Sequence, residues 1–528
     1  MEDKICAFHI DLNYCCLRED YIRKWLAKIA SAGYNAILWE IEDKVQLDSC
    51  PECIYPEALT KEQFRSILDY SSELGLEAIP LLQTVGHGEY ILMHEEYRCL
   101  RESQEENHHD CYCTENPEAR KFLKQLIREY LELFGDIRYF HLGGDEAYVF
   151  ATCPKCAAKA AAIGKNALYM EHITDIAQDI FRAGVRPGIW GDMILRYPEA
   201  MNTVPKNYLI WDWNYQHTDS VPDETLVWGE GSLPKEKIPV RSRELFPEII
   251  DEDGRLRPFY TAHALKRMGY DVILCSAVRA AGDSPFVPVV EIHSGNVAGA
   301  ARLCARLGLV GNCVTSWAIR LNPFEVQEPL LPLAPKALRN PEMPLGDLES
   351  RVSKELFGLE TTDFYSAAAL AGRDMPPLLC GPTMAVQWNR LKDSLPTPPG
   401  YLKKQLAKWK TENDGAFFDT LKKRLEDAED NTVKASSRLE KFAMQATKGF
   451  AILDNWLEAL RLQFWMIKAA KMIFYDQVTP ETVHLLEVLK NRYVLMLGKI
   501  ETPQSADKNA NLVFDWILEY CRDCLKHK

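Results

Sequence analysis

The sequence predicts an α/β protein, a (β/α)8 TIM barrel over residues 1–328 followed by a mostly α-helical C-terminal region over 329–528. Three observations predict it. Short, nearly continuous apolar runs alternate with helical patterns through the first part of the chain. No Gly-x-Gly-x-x-Gly follows the first run, so the usual mark of a doubly wound open sheet is missing. After about Leu330 the texture becomes punctuated by proline and then helical.

Residues 6–12 read as the first strand, and 18–31 as an amphipathic helix ending before Gly33. The second strand is 35–41, Asn-Ala-Ile-Leu-Trp-Glu-Ile. A helix over 61–74 stops at Gly75 and leads into a third strand, 76–85. Another over 118–134 stops at Gly135 and leads into a fourth, 137–142. Four further strands, at 187–190, 208–213, 272–277 and 310–317, complete the eight. Runs apolar at successive positions suit strands covered on both faces. Pro329, Pro332, Pro335, Pro341 and Pro344 then mark a connector, and Pro396-Thr-Pro-Pro-Gly400 a second break. Beyond it Phe450, Leu453, Leu457, Leu460, Phe464 and Ile467 recur at helix spacing, giving a face to pack on the barrel or on a second copy as a homodimer.

Hydrophobic residues are 47% of the chain and charged residues 26%, ordinary globular values that exclude a disordered or fibrous protein. The net charge of −14 opposes a nucleic-acid partner, whose phosphates demand a basic face. No membrane partner is expected either: Asp454, Glu458, Arg461 and Lys468 interrupt the longest apolar stretch. The first residues lack a basic segment followed by a long apolar one, so a cytoplasmic location is expected, with the 16 cysteines reduced.

The sharpest chemical signal is Tyr139-Phe-His-Leu-Gly-Gly-Asp-Glu146, at the end of the fourth strand. Barrel enzymes carry their chemistry at the C-terminal ends of the strands. An Asp-Glu pair often does no more than begin a loop, but two glycines allow a tight backbone that delivers both acids into a crowded pocket. Adjacent residues on an ideal strand face opposite sides, so the strand has to end or bulge here. Asp145 and Glu146 are thus the candidate catalytic residues.

His141-x-Gly143-Gly144-Asp145-Glu146 resembles the signature of glycoside hydrolase family 20, the β-N-acetylhexosaminidases. Asn35-Ala-Ile-Leu-Trp-Glu-Ile-Glu-Asp43 and Ile79-Pro-Leu-Leu-Gln-Thr-Val-Gly-His-Gly-Glu89 resemble its hexosaminidase D-like branch, and the likeness is clearest from Ile5 to Phe150. The resemblance implies a carbohydrate substrate and exo-hydrolysis of terminal N-acetylhexosamine, GalNAc or GlcNAc, by substrate-assisted retention. Asp145 would orient the acetamido group. Glu146 would be general acid and base, with a pKa raised by burial and by Asp145. His87, within Gly86-His-Gly88, would join their hydrogen-bond network. Trp190, Trp211, Trp213 and Trp317 fall at strand ends. Tryptophan in a barrel more often packs than binds, but the family boxes the acetamido methyl with tryptophans, and Trp190 and Trp317 match best. Tyr215 would bond the acetamido oxygen, and Glu40 and Asp192 sugar hydroxyls. The chemistry needs no cofactor. Two departures stand out: Asp11-Leu-Asn-Tyr14 lacks the family's arginine after the first strand, and 272–279 lacks its Trp-Tyr-x-x-Asp. A catalytically inactive sugar-binding barrel and another acetamido-sugar glycosidase are the alternative readings.

Cys50-Pro-Glu-Cys53 follows the second strand and Cys153-Pro-Lys-Cys156 the fourth. Two such pairs on one barrel face suit a four-thiolate structural zinc. Cys111 and Cys113 are competing ligands, and four unpaired loop thiols the alternative.

Overall fold

The computed structural model describes residues 4–105, 108–379 and 400–526. Eight parallel strands close into a barrel: β1 (Ile5–Asp11), β2 (Ala36–Glu40), β3 (Glu77–Leu81), β4 (Tyr139–His141), β5 (Arg186–Trp190), β6 (Leu209–Trp213), β7 (Asp271–Arg279) and β8 (Gly311–Ser316). Each pairs with its neighbours in sequence, and β8 closes on β1 with Ile5 opposite Gly311.

The apolar runs are explained by the two faces of each strand. Ile5, Ala7, Ala36, Leu38, Ile79, Leu81, Leu209, Ile273, Cys275 and Cys313 fill the barrel interior. Their alternates, among them Phe8, Ile37, Trp39, Phe140, Ile210 and Leu274, pack outward beneath the helices. Period two then decides what reaches the C-terminal mouth: His9 and Asp11 continue the inward face of β1, Glu40 that of β2, and Trp211 and Trp213 that of β6.

Two strands are only half as long as expected. β3 leaves the ladder after Leu81, and Thr84 donates to the Leu142 carbonyl at 2.5 Å while Val85 accepts the Tyr112 N–H at 2.9 Å. β4 holds only three residues, for a reason given below. The long segment between β6 and β7 contains an antiparallel pair, Glu224–Val227 with Gly231–Pro234, where the sequence predicts no element.

Long helices follow the barrel, notably Ala416–Gln445, Phe450–Phe474, Pro480–Leu497 and Pro503–Lys526. Of the second predicted break, Pro396 to Pro399 lie outside the described residues, which resume at Gly400. Helix Phe450–Phe474 buries Leu453, Leu460 and Ile467 as its period predicts, but Phe450 is exposed and the buried stripe also takes in Trp456 and Gln463. The apolar layer outside the barrel continues without a gap into these helices. Among the described residues, no helix is long and apolar enough to cross a membrane.

The last helices brace the barrel mouth through polar contacts. Leu17, after β1, forms a bridge with Glu501, and Cys16 receives the Thr502 N–H at 2.9 Å. Asn509 donates to the Tyr14 carbonyl at 3.1 Å, and Ser505 accepts the Cys16 N–H at 2.9 Å. After β7, Ser284 donates to the buried Gln463 at 2.7 Å. After β8, the Leu321 carbonyl accepts the Tyr493 hydroxyl at 2.8 Å. Tyr493 is fully buried, so Tyr493→Phe strands that carbonyl at little change in volume. The expected cost is about 1–3 kcal/mol, read as a lower urea midpoint at unchanged slope.

Candidate active site

The chain turns out of β4 through a left-handed run. Gly143 has φ +60°, Gly144 +84° and Glu146 +42°. A Cβ at Gly143 would stand 2.1 Å from Gln83 Oε1, and one at Gly144 2.5 Å from the Tyr169 hydroxyl, so conformation and space both require glycine. Glu146 holds its own left-handed backbone at a cost of about 1–3 kcal/mol, and its N–H is fixed by Asp192 Oδ2 at 3.0 Å. Strand alternation is thereby cancelled. Asp145 Oδ2 and Glu146 Oε2 each lie 3.5 Å from the same atom, Nε2 of His87. His87 is itself left-handed, at φ +54°.

Charge is unevenly shared among these three. Burial raises the pKa of Asp145, and the opposing charge of His87 does not cancel it. Burial would likewise raise Glu146. The hydrogen bond and charge of His87, with help from Tyr148 and Arg320, outweigh that and hold it below the ordinary glutamate value. This corrects the expectation of a raised Glu146: its carboxylate is about a third exposed (32%), against 8% for Asp145, and His87 rather than Asp145 dominates its surroundings. Burial alone would lower His87, but Asp145 and Glu146 raise it well above an ordinary histidine, so it stands between them as an imidazolium. Asp192, buried and beside Asp145, is pushed up to about 8.

The remaining predicted residues line the same mouth. Glu40 accepts from Gln83 Nε2 at 2.9 Å and lies 3.1 Å from His9 Nε2. His141 accepts the Gly143 N–H on Nδ1 at 2.9 Å, and its ring centre lies 4.3 Å from that of Trp190 and 4.9 Å from that of Trp211. Burial keeps it neutral. Trp190 and Trp211 are fully buried and form a floor. Above it, Tyr215 stacks on Trp213 at 5.2 Å and lies 6.2 Å from Trp317, all three partly exposed. Trp317 in turn lies 6.0 Å from Trp190.

Sequence reasoning missed several neighbours. His9 was readable by period two from Ile5 and Ala7. Trp228, packed 4.7 Å from Trp213, comes from the unforeseen hairpin. Tyr148, in the turn after β4, and Arg320, in the short helical turn Ala318–Arg320, both act on Glu146 and belong to segments too short to show a period. The family's missing arginine has no substitute in β1 or β7. Asp11 caps the N–H groups of Asn13 and Ala318, each at 2.7 Å. Arg279 is buried against the Asn322 carbonyl at 2.9 Å.

The cysteine expectation needs a correction. Cys153 and Cys156 gather with Cys113 and Glu102, not with Cys50 and Cys53. The strand order gives the reason: β3 lies between β2 and β4, so the loop after β3 supplies the neighbours of the loop after β4. Cys50 and Cys53 stay together in a tight turn, buried, with the Cys53 N–H donating to the Cys50 carbonyl at 3.0 Å.

Residues 20–225 match the family model for the glycosyl hydrolase family 20 catalytic domain. Hexosaminidase D of Homo sapiens is 28% identical over 220 residues, 39% of this chain and 44% of that protein. The Bos taurus hexosaminidase D is 27% identical over 219 residues, 39% of this chain and 62% of that protein. The chain thus spans about half the length of the curated relatives it matches. Among solved structures, a chitobiase of Flavobacterium johnsoniae aligns with a TM-score of 0.48 at 15% identity, over 96% of this chain and 77% of that one.

The electrostatics of the free site can be read by proton NMR. His87 should titrate well above 6.5, the ordinary value, and fall back toward it in Asp145→Asn, where the main charge raising it is gone. The stability contributed by these ion pairs should be full below about pH 6.5 and be lost as pH rises through the raised His87 value. A His87 titration unmoved by Asp145→Asn would contradict the geometry.

Proposed function

We propose that this chain, whose barrel belongs to glycosyl hydrolase family 20, is a β-N-acetylhexosaminidase that removes terminal N-acetylhexosamine with help from the substrate's own acetamido group. The observation that carries the reading is the left-handed turn that presents Asp145 and Glu146 to one imidazole above an aromatic floor.

The acetamido carbonyl oxygen attacks C1 as the bond from C1 to the glycosidic oxygen breaks. Glu146 gives its proton to that oxygen. Asp145, deeper and nearly closed to water, accepts the acetamido N–H and balances the positive charge of the oxazolinium ring. Water then attacks C1, Glu146 takes its proton, and the ring reopens with overall retention. Glu146 must enter this cycle protonated, although the free site favours its anion. His87 holds a proton 3.5 Å away, and a neutral sugar that displaces water from the exposed third of Glu146 favours passing that proton to the carboxylate.

The partly exposed rings of Trp213, Tyr215 and Trp317 suit the apolar face and methyl of an acetamido sugar, with Trp190 and Trp211 supporting them from below. Glu40 and the neutral Asp192 are placed to meet hydroxyls. The p-nitrophenyl glycosides of GlcNAc and GalNAc, with the glucoside as control, are the first assay. An inactive sugar-binding barrel would release no nitrophenol from any of them.

Glu146→Gln should lose about 10²–10⁴-fold in kcat/KM on substrates with poor leaving groups, and much less on aryl glycosides that need no proton. Equal losses on both would remove the acid assignment. Asp145→Asn should weaken binding of a thiazoline mimic of the cyclised intermediate, measured by calorimetry, while leaving that of the free sugar nearly unchanged. Mass spectrometry should find no glycosyl adduct on Asp145, and efficient cleavage of the plain glucoside would sink substrate assistance.

A further inference from the structure

A thiol cluster beside the catalytic turn has no part in glycoside hydrolysis. Cys113 Sγ lies 3.7 Å from Cys153 Sγ and 3.6 Å from Cys156 Sγ. Glu102 adds a carboxylate oxygen, and the four ligand atoms all lie within 4.8 Å of one another. Glu102 is only 3% exposed. Its Oε1 accepts the N–H groups of Thr152 at 2.8 Å and Cys153 at 2.9 Å, which pins the carboxylate to the opposite loop. Its Oε2 is buried without a hydrogen-bond partner. A buried carboxylate oxygen lacking a donor is costly unless a cation shares the space.

We propose that Cys113, Cys153, Cys156 and Glu102 bind one zinc ion, as three thiolates and a carboxylate. A tetrahedral zinc with Zn–S bonds of about 2.3 Å holds its sulfurs about 3.8 Å apart, close to both separations here. Thiols in plain contact lie as near. What contact alone does not produce is the convergence of a third sulfur and an unsatisfied carboxylate oxygen on the same space. A disulfide would need about 2.05 Å. Cys153 also caps helix Pro154–Ile163, its sulfur accepting the Cys156 N–H at 3.3 Å. Three soft donors select zinc over magnesium or calcium. With all four positions supplied by the protein, the site is closed and structural.

Its placement gives it a task. Glu102 and Cys113 belong to the same excursion after β3 as His87, and Cys153 follows Glu146 closely after β4. The ion would lash the loop of the imidazole to the loop of the two acids.

The test is made on the full chain and reads metal rather than hydrolysis, so it stands or falls apart from the proposed activity. Protein expressed with added zinc and purified without chelator should carry about one zinc per chain through dialysis, and release it to a mercurial thiol reagent. Cobalt in its place should show tetrahedral d–d bands and a thiolate charge-transfer band. Cys113→Ser and Cys156→Ser should lose the metal and lower Tm, whereas Cys50→Ser and Cys53→Ser should retain it. Should the cysteine variants fail to fold, Glu102→Gln keeps an oxygen for Thr152 and Cys153 and should weaken zinc binding roughly tenfold or more. The proposal is overturned by folded wild-type protein whose three thiols all alkylate without metal release, by a Cys113–Cys156 disulfide, or by metal that leaves with Cys50→Ser.

Discussion

Two neighbouring carboxylates can face one imidazole only where the backbone abandons the alternation of a strand, and in this protein that happens between Gly143 and Glu146. Gln83 and Tyr169 stand where side chains on the two glycines would go, so the turn is enforced from both sides. Much else follows from it. β4 stops at His141, and the freed Gly143 N–H is taken up by the His141 ring. The Glu146 N–H, turned inward, finds Asp192. The unequal burial of the two acids is a result of the same turn, and so is the division of charge with His87 between them.

A strained turn has to be held by its surroundings. Inside the barrel it rests on His141 and the buried indoles of Trp190 and Trp211. Around the rim, the last helices hold the loops after β1, β7 and β8 through Asn509, Gln463 and Tyr493, each a buried polar group hydrogen-bonded across the junction. Such contacts add modestly to stability, but they fix position, because a slip would leave several buried groups unpaired at once. The cysteines gather elsewhere on the rim, between the loops after β3 and β4.

The barrel was legible because parallel strands beneath helices leave near-continuous apolar runs, and period two then carries Glu40, Trp211 and Trp213 to the mouth. Asp145 and Glu146 were legible because glycine is the one residue that reports a backbone need directly. Other parts left no such trace. The hairpin bearing Trp228 lies in a long insertion without period, and Tyr148 and Arg320 lie in short turns and are identified only by what they face. The lowered pKa of Glu146 could not be read from its neighbour in sequence, since the group that sets it lies in another loop. The choice of Cys113 over Cys50 likewise depended on which loops adjoin in the closed barrel, a fact of topology rather than of spacing.

The indole floor has a consequence of its own. Below Trp190 and Trp211 the barrel is filled by Ile5, Ala7, Leu38, Ile79 and Ile273, none more than 2% exposed. The mouth therefore has a closed floor. A molecule that enters at the mouth cannot pass on down the barrel axis.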